Sequence, residues 1–207
     1  MKKTRKSKIT KRRTDFRYNE MDERSILEDI LSFLSTFIVC GLVIVIVSFF
    51  VIKPAGISGR SMMPNLKNGQ RGFSNVISLM MEGIQRYDIV LAKTVTEEGN
   101  DATIIKRVIA LPGETIECKD NIIYINGEEL DESAYLDTKY RKDWEKKNHY
   151  FTDDFKKVKL KEDEYFLMGD NRPISLDSRD LGPFNVQQII AKDFMILYPF
   201  EDFGYLQ

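Results

Sequence analysis

Residues 30–52 read ILSFLSTFIVCGLVIVIVSFFVI, a run of 23 residues without a charged side chain. About 20 apolar residues, each rising 1.5 Å along a helix, cross the roughly 30 Å hydrocarbon layer of a bilayer. The main alternative is a cleaved signal peptide, whose apolar region of about 7–15 residues ends at a small-residue cleavage site. The run is longer than that, and the VIKP at residues 51–54 is no such site. The sequence therefore predicts a retained transmembrane helix at 30–52.

The charges on either side of this run predict its orientation. Residues 1–14 carry eight lysines and arginines and no acid, although the whole chain has a formal net charge of -1. A basic block can bind nucleic acid, but beside a membrane span it more often marks the cytoplasmic flank. We therefore expect a cytoplasmic basic tail at 1–29, an extracytoplasmic domain at 53–207 and the lipid bilayer as a partner, with no nucleic acid. The oligomeric state stays open.

After the span, the pattern changes to short strands separated by turns. Strands are predicted at 72–81, 87–93, 102–111, 115–118, 122–125, 164–168 and 194–198, and one short helix at 186–191. The charged residues between 130 and 161 are interpreted as a solvated surface excursion rather than a binding site. The expected fold class is mostly β: a single N-terminal transmembrane helix, then a β-sandwich or partial-barrel catalytic domain with a smaller inserted, peripheral lobe at about 126–160.

The possible catalytic residues of the 53–207 domain can be narrowed by elimination. His149 is the only histidine and lies in the charged insertion, so a Ser-His-Asp triad is poorly motivated. No cluster has metal-ligand spacing, and no glycine-rich loop suits a phosphate. A serine without histidine needs another base, and a lysine serves if burial lowers its pKa. Lys106, in TIIKRVIAL, shares a strand face with Ile104 and Val108; alone, that stretch fits an ordinary solvent-facing lysine better.

Two further stretches carry polar groups that suit a catalytic site. Residues 57–66, ISGRSMMPNL, place Ser61 in a turn-prone, apolar segment just after the span. Residues 169–182, GDNRPISLDSRDLG, crowd acids, amides, serines and arginines into one loop that follows an apolar strand. That loop is either a well hydrogen-bonded surface loop or a scaffold that orients a base.

Four stretches, in this order behind a span, resemble the type I bacterial signal peptidases, which are membrane-anchored Ser-Lys proteases. They are SGRSMMPNL, RYDIVLAK, IIKRVIALPGE and GDNRPISLDSRDLG. The resemblance implies a serine endopeptidase that removes signal peptides from exported precursor proteins at the outer membrane surface, with no cofactor and no metal. By position, it implies that Ser61 is the nucleophile and Lys106 the general base.

The resemblance also implies supporting roles. Ser175 matches a serine that hydrogen-bonds the lysine, Asp177 and Arg179 match an acid and an arginine that shape the site, and Arg107 follows the base as in the family. The Ser61 amide is one oxyanion donor; the second is open, because Gly59 stands where one branch has serine, and Ser58 or a backbone amide are candidates. Met62 and Met63 supply apolar surface that either lines the site or enters the membrane interface.

Departures from the family pattern keep a second interpretation open. Asn65 stands where threonine is usual, Tyr87 replaces a glycine, and Pro173-Ile174 replaces Asp-Asn. The alternative is a non-catalytic or specialised signal-peptidase-like factor that processes or assembles surface proteins. The presence of both Ser61 and Lys106 argues against a protein without chemistry. Which precursors are cut, and whether this copy is the housekeeping or a dedicated enzyme, stays open.

Overall fold

The computed structural model describes the backbone of residues 4–96 and 98–205, and the side chains of 26–48, 50–96 and 98–205. The chain divides into two compact units, Met1–Phe49 and Phe50–Gln207. The side chains of the basic residues 1–14 lie outside the described residues.

The N-terminal helix α1 runs over Thr4–Val51, a length of 48 residues. It contains Ile26–Ser48, a stretch of 23 residues with a mean hydropathy of 2.9, which is long and apolar enough to cross a membrane. None of the side chains in this stretch is buried against the protein. The helix ends at Val51 and Ile52 already belongs to a strand, so the predicted helix extends one residue too far at that end.

The second unit consists mainly of β-strands, which confirms the mostly β prediction. The strands are β1 (Ile52–Gly56), β2 (Arg71–Asn75), β3 (Ile89–Val95), β4 (Asp101–Ala110), β5 (Thr115–Lys119), β6 (Ile122–Ile125), β7 (Glu128–Glu129), β8 (Phe155–Lys159), β9 (Glu164–Met168), β10 (Phe184–Asn185), β11 (Ile189–Tyr198) and β12 (Gly204–Tyr205). The α-helices are α2 (Val76–Glu82), α3 (Thr138–Asn148) and α4 (Ser178–Leu181), and 3₁₀ turns occupy Arg172–Ile174, Val186–Gln188 and Phe200–Asp202.

In the described part of the chain these strands form two antiparallel sheets. The larger has eight strands in the order β1-β2-β11-β3-β4-β9-β10, with β12 beside β11. The smaller has four strands in the order β7-β6-β5-β8. In the larger sheet, β3 and β4 pair in a continuous register in which Val90 lies opposite Lys106. Apolar side chains of this pair, Val90, Ala92 and Val108, are fully buried in one core cluster.

Two boundary predictions are wrong for reasons of local capping. The predicted strand at 72–81 ends at Asn75, because the Asn75 side chain accepts hydrogen bonds from the N–H groups of Ile77 and Ser78 and so starts α2. The predicted helix at 186–191 is only the 3₁₀ turn Val186–Gln188, and β11 begins directly after it at Ile189. Helix and strand propensities alone do not predict either of these capping contacts.

The residues between 130 and 161 are not a solvated surface excursion, and that interpretation is wrong; they belong to the segment 126–160. It supplies β7 and β8 to the smaller sheet, where β8 pairs with β5. Its apolar side chains also enter a core cluster together with residues of β4, β5, β6 and β9; those at least nine-tenths buried are Tyr135, Leu136, Phe151 and Leu160. Helix α3 packs Tyr140 and Trp144 against this cluster while most of its charged residues are exposed, which is why the composition suggests an exposed segment.

Candidate active site

Ser61 lies in the loop that joins β1 to β2, and this loop is held by buried apolar residues. Met62 and Leu66 are 2% and 0% exposed and pack in one cluster with Ile57. The N–H of Leu66 donates to the carbonyl of Met62 at 2.8 Å, and the N–H of Ile57 donates to Gln70 at 2.8 Å. The buried residues fix the turn, while Ser61 itself stays half-buried at its surface.

Ser61 and Lys106 line the same cavity, which has a volume of about 110 Å³. Lys106 lies on β4 and is only 3% exposed. Strand residues Thr103, Ile104 and Ile105 form one wall, and Gly56, Ile57, Ser58 and Met62 complete the lining. Within the described residues no hydrogen bond joins the Ser61 hydroxyl to the Lys106 amine. The two groups therefore share a small enclosure from which a third reactant can reach both.

The environment of Lys106 lowers its pKa from 10.5 to about 8. Burial is the main cause, because removal from water disfavours the charged ammonium, and the positive charge of Arg179 acts in the same direction. The negative charges of Asp177 and Asp170 partly oppose this shift. A fraction of the amine is consequently neutral near neutral pH, as a general base requires.

The segment that follows β9 packs directly against the Ser61 turn. The Asn171 N–H donates to the Ser61 carbonyl at 2.9 Å, and the Asn171 side chain donates to the Arg60 carbonyl at 3.0 Å. Gly169 allows this approach, since a methyl group at that position would collide with the Ser61 carbonyl and the Ser175 hydroxyl. The glycine is thus required by a close contact between two chain segments.

Asp177 and Arg179 form a buried ion pair beside this segment. The Asp177 carboxylate accepts from Arg179 Nε at 2.9 Å and Nη2 at 3.0 Å, and from the Gly169 N–H at 3.0 Å. Burial alone would raise the pKa of Asp177, but the hydrogen bond and charge of Arg179 lower it overall. Arg179 Nη2 also donates to the carbonyls of Arg172 at 2.6 Å and Ser175 at 3.2 Å. The pair therefore fixes the shape of the loop.

Ser175 is 6% exposed, and in the described part of the chain its hydroxyl makes no hydrogen bond of normal geometry, although it lies close enough to the Asp177 carboxylate to help lower the pKa of that group. Buried hydroxyl groups are normally paired, so this one has capacity for a further hydrogen bond. Its neighbour Gly169 also packs against the Ser61 carbonyl, and its neighbour Asp177 carries one of the charges that act on the pKa of Lys106.

Arg107 points away from the cavity and binds Asp170. Its Nε and Nη2 atoms donate to the two carboxylate oxygens at 2.8 and 2.7 Å, and Arg107 and Asp170 are 4% and 0% exposed. Asn65, four residues after Ser61, donates to the same carboxylate at 2.7 Å. Asp170 therefore ties the strand of Lys106 to the turn of Ser61.

The structure separates the predicted residues into two groups. Ser58, Ser61, Met62 and Lys106 line the cavity, whereas the others do not: Gly59, Met63, Arg107, Ser175, Asp177 and Arg179. The Gly59 N–H already donates to the Asn68 side chain at 2.9 Å, which removes it as an oxyanion donor.

Met62 is buried and His149 is exposed. Met62, at 2% exposure, offers no surface to a membrane, so that alternative is wrong for it. His149 is exposed at the C-terminal end of α3 and does not line the Ser61 cavity. Among the residues with described side chains, no group of three or more His, Cys, Asp or Glu could hold a metal ion.

Sequence reasoning assigned no role to several residues that hold the site together. Gly169, Asp170 and Asn171 were visible only as the start of a polar loop, and Asn65 only as a departure from a family pattern. The available signal for a functional role was the polar pair Asp170-Asn171, which follows soon after a buried strand. Their partners lie up to 111 positions away, as for Asn171 and Arg60, and no local pattern identifies them.

The amino-acid sequence of this chain is similar to the sequences of known proteins. Residues 30–198 match the family model described as signal peptidase, peptidase S26. Signal peptidase I S of Bacillus subtilis (strain 168) is 35% identical over 84% of this chain and 92% of that protein. Signal peptidase IB of Staphylococcus aureus (strain MRSA252) is 31% identical over 88% of this chain and 95% of that protein. A crystal structure of a signal peptidase I from Enterococcus faecalis V583 is 33% identical and covers 53% of this chain and 95% of that one, with a TM-score of 0.43.

Proposed function

Because this chain belongs to the signal peptidase family, peptidase S26, we propose that Ser61 and Lys106 form the catalytic dyad with which it acts as a type I signal peptidase. The enzyme is a serine endopeptidase that removes N-terminal signal peptides from exported precursor proteins. The observation that carries the choice of dyad is the shared cavity, which is lined both by Ser61 and by a buried lysine whose pKa is lowered to about 8.

The reaction begins with a proton transfer inside this cavity. Neutral Lys106 Nζ accepts the proton of Ser61 Oγ while that oxygen attacks the carbonyl carbon of the scissile bond. The carbon–nitrogen bond then breaks, and protonated Lys106 returns the proton to the leaving amine of the mature protein. The signal peptide stays on Ser61 as an ester, which a water molecule deprotonated by Lys106 hydrolyses.

Two donors are proposed for the oxyanion that forms in each step. The Ser61 N–H makes no hydrogen bond to other described residues, so it is free to donate. Ser58 lines the same cavity and is exposed to it, and because the Gly59 amide is occupied, Ser58 is the better candidate for the second donor. Loss of one such donor typically costs about 10²–10³ in rate.

The supporting residues are proposed to orient the base. Ser175 hydrogen-bonds the Lys106 amine, a role supported by its buried hydroxyl, which makes no hydrogen bond of normal geometry in the described structure and lies beside the Asp177 carboxylate, one of the charges that act on Lys106. Asp177 and Arg179 hold the Ser175 segment, and their charges act on Lys106 in opposite directions. Arg107 holds Asp170 and therefore the turn that carries Ser61.

The membrane arrangement is also proposed. The apolar helix anchors the protein, the basic residues 1–29 face the cytoplasm, and residues 53–207 form the extracytoplasmic peptidase domain with the 126–160 segment inserted in it. The helix in Ile26–Ser48 and the charge asymmetry support this orientation. The loop with Ser61 follows closely after the anchor, which keeps the cavity near the membrane-held signal peptide.

The decisive test is cleavage of a secretory precursor by Ser61→Ala and Lys106→Ala variants of the full chain. Each is expected to lose at least about 10³-fold in rate, because the nucleophile or its base is missing. Ser133→Ala and Lys93→Ala change an exposed serine and an exposed lysine and serve as matched controls. Retained cleavage in both dyad variants would instead favour the non-catalytic factor or a different set of catalytic residues.

A further inference from the structure

Arg172 is fully buried, and its counterion comes from the 126–160 segment. Its side chain is 0% exposed and pairs with Glu132, which is 4% exposed, at 2.6 Å. Arg172 Nε also donates to the carbonyl of Gly169 at 3.0 Å. Gly169 is the residue whose backbone packs against the Ser61 carbonyl and the Ser175 hydroxyl. A charge pair thus connects Glu132 to the place where two proposed catalytic segments meet.

Tyr135 extends this connection to the strand of Lys106. Its hydroxyl donates to Glu132 at 2.7 Å and accepts from Arg172 Nη2 at 2.8 Å. Its ring lies beneath the guanidinium of Arg107, whose central carbon is 4.7 Å from the ring centroid. Arg107 directly follows Lys106 along β4 and points to the opposite face, so the ring packs behind the strand that carries the base.

Tyr135 also contacts the Ser61 turn through its main chain. Its carbonyl accepts from Asn65 Nδ2 at 2.8 Å, and the same Asn65 amide donates to Asp170 at 2.7 Å. Glu132 and Tyr135 therefore touch, directly or through one arginine, the turn of Ser61, the strand of Lys106 and the loop of Ser175. Both side chains are at least nine-tenths buried.

We propose that Glu132 and Tyr135 are positioning residues of the peptidase, which set the distance between the Ser61 turn, Lys106 and the Ser175 loop. The inference rests on the proposed function, because it assigns a role relative to the proposed dyad. Neither side chain lines the Ser61 cavity, so they act through Arg172, Arg107 and Asn65 rather than on the substrate.

The physical reason is that a buried guanidinium without its carboxylate does not keep its place. Leaving one charge of a buried pair uncompensated is strongly unfavourable, so Arg172 turns toward water or admits water. Either response pulls on the carbonyl of Gly169 and disturbs the close contact with Ser61 and Ser175. Misplacement of reacting groups by about 1 Å costs roughly 10²-fold in rate.

The test compares two glutamates that bind the same arginine. Glu132 and Glu145 both pair with Arg141, at 3.3 and 2.8 Å, but of the two only Glu132 pairs with Arg172 within the described structure. Full-length Glu132→Gln and Glu145→Gln are assayed in detergent on a soluble signal-peptide substrate, with kcat, KM and the pH dependence of kcat/KM recorded well below Tm. We expect Glu132→Gln to lower kcat about 10- to 100-fold with little change in KM. The rising part of its kcat/KM–pH profile, called here the pH limb, should move to higher pH because water reaches Lys106. Glu145→Gln stays like the parent.

If Glu132→Gln folds poorly, a variant with a smaller chemical change still tests the proposal. Tyr135→Phe keeps the ring and removes only the hydroxyl, so we expect a smaller fall in kcat with the same upward movement of the pH limb. A lowered Tm with kcat and the pH limb unchanged in both variants would overturn the proposal and leave a structural role alone. Ser61→Ala is included in the same assay: if it stays active, the proposed dyad has failed, which is a different result from failure of the positioning role.

Discussion

Burial of Lys106 affects both the stability and the activity of the domain. The folded protein releases the Lys106 proton near pH 8, whereas an unperturbed lysine releases it near 10.5. Between these values the unfolded chain binds more protons, so stability rises with pH through this interval. Below pH 8 the amine is charged in both states, and the folded state carries the full cost of its burial. The proposed base therefore lowers stability at neutral pH.

The same pKa predicts the pH dependence of cleavage. Because the neutral amine is the active form, kcat/KM is expected to rise with pH and reach half of its plateau near pH 8. The measurement is kcat/KM on a soluble peptide from pH 6 to 10, with Lys93→Ala as a variant that should leave the profile unchanged. A profile flat over this range would contradict Lys106 as the general base.

At the scale of single elements, the β5–β6 hairpin anchors the 126–160 segment through its turn. Asp120 and Asn121 both have positive φ, of 53° and 69°, which asparagine tolerates better than most residues. The Asn121 side chain accepts from the N–H groups of Phe151 and Thr152 at 2.7 and 2.9 Å. These two residues are 1% exposed, so their amides depend on this acceptor.

Asn121→Ala is therefore expected to lower the free energy of unfolding by about 2–4 kcal/mol, through two lost hydrogen bonds and a side chain less suited to positive φ. Trp144, the only tryptophan of the chain, lies half-buried in α3 and reports the transition by its fluorescence in urea. Asn121→Asp keeps an acceptor oxygen and should lose much less. Equal losses in the two variants would show that the side-chain acceptor is not what stabilises this turn.

The elements also show where local patterns stop being sufficient. The stretches 115–118 and 122–125 were predicted as two short strands separated by a turn, and the structure confirms both as the antiparallel pair β5–β6, with one extra strand residue in β5. The strand at 72–81 failed because Asn75 starts a helix through its side chain, which strand propensity does not register. The 126–160 segment failed because its few apolar residues are buried together while its many charges stay outside.

At the scale of the molecule, the unit Phe50–Gln207 contains all the core clusters formed by described residues. A chain that begins at Phe50 is therefore expected to fold, with a cooperative urea transition and a β-type far-UV circular dichroism spectrum. It should cleave a soluble peptide at a rate close to that of the full chain in detergent. Cleavage of a precursor embedded in vesicles should fall at least about 10²-fold, because the tether no longer concentrates the enzyme at the membrane.

Two outcomes would contradict this prediction. A non-cooperative transition would mean that the peptidase domain needs residues 1–49 to fold. An unchanged rate on the embedded precursor would mean that the apolar helix does not bring enzyme and substrate together, and the membrane arrangement proposed above would have to be revised.

Several features of this protein can be predicted from its sequence because they depend on neighbouring residues alone. They are the apolar run, the basic flank, most of the strands and the order of the four motifs. They were sufficient for the family and the enzyme class, and for the proposal that Ser61 and Lys106 form the dyad. The contacts that hold the Ser61 turn and the Lys106 strand in place could not be predicted from the sequence. Asn65 meets Asp170 across 105 positions and Arg107 meets it across 63, and such contacts exist only once strand register brings the segments together. Burial of Arg172 with Glu132 likewise follows from how the 126–160 segment packs, and composition favoured the opposite interpretation.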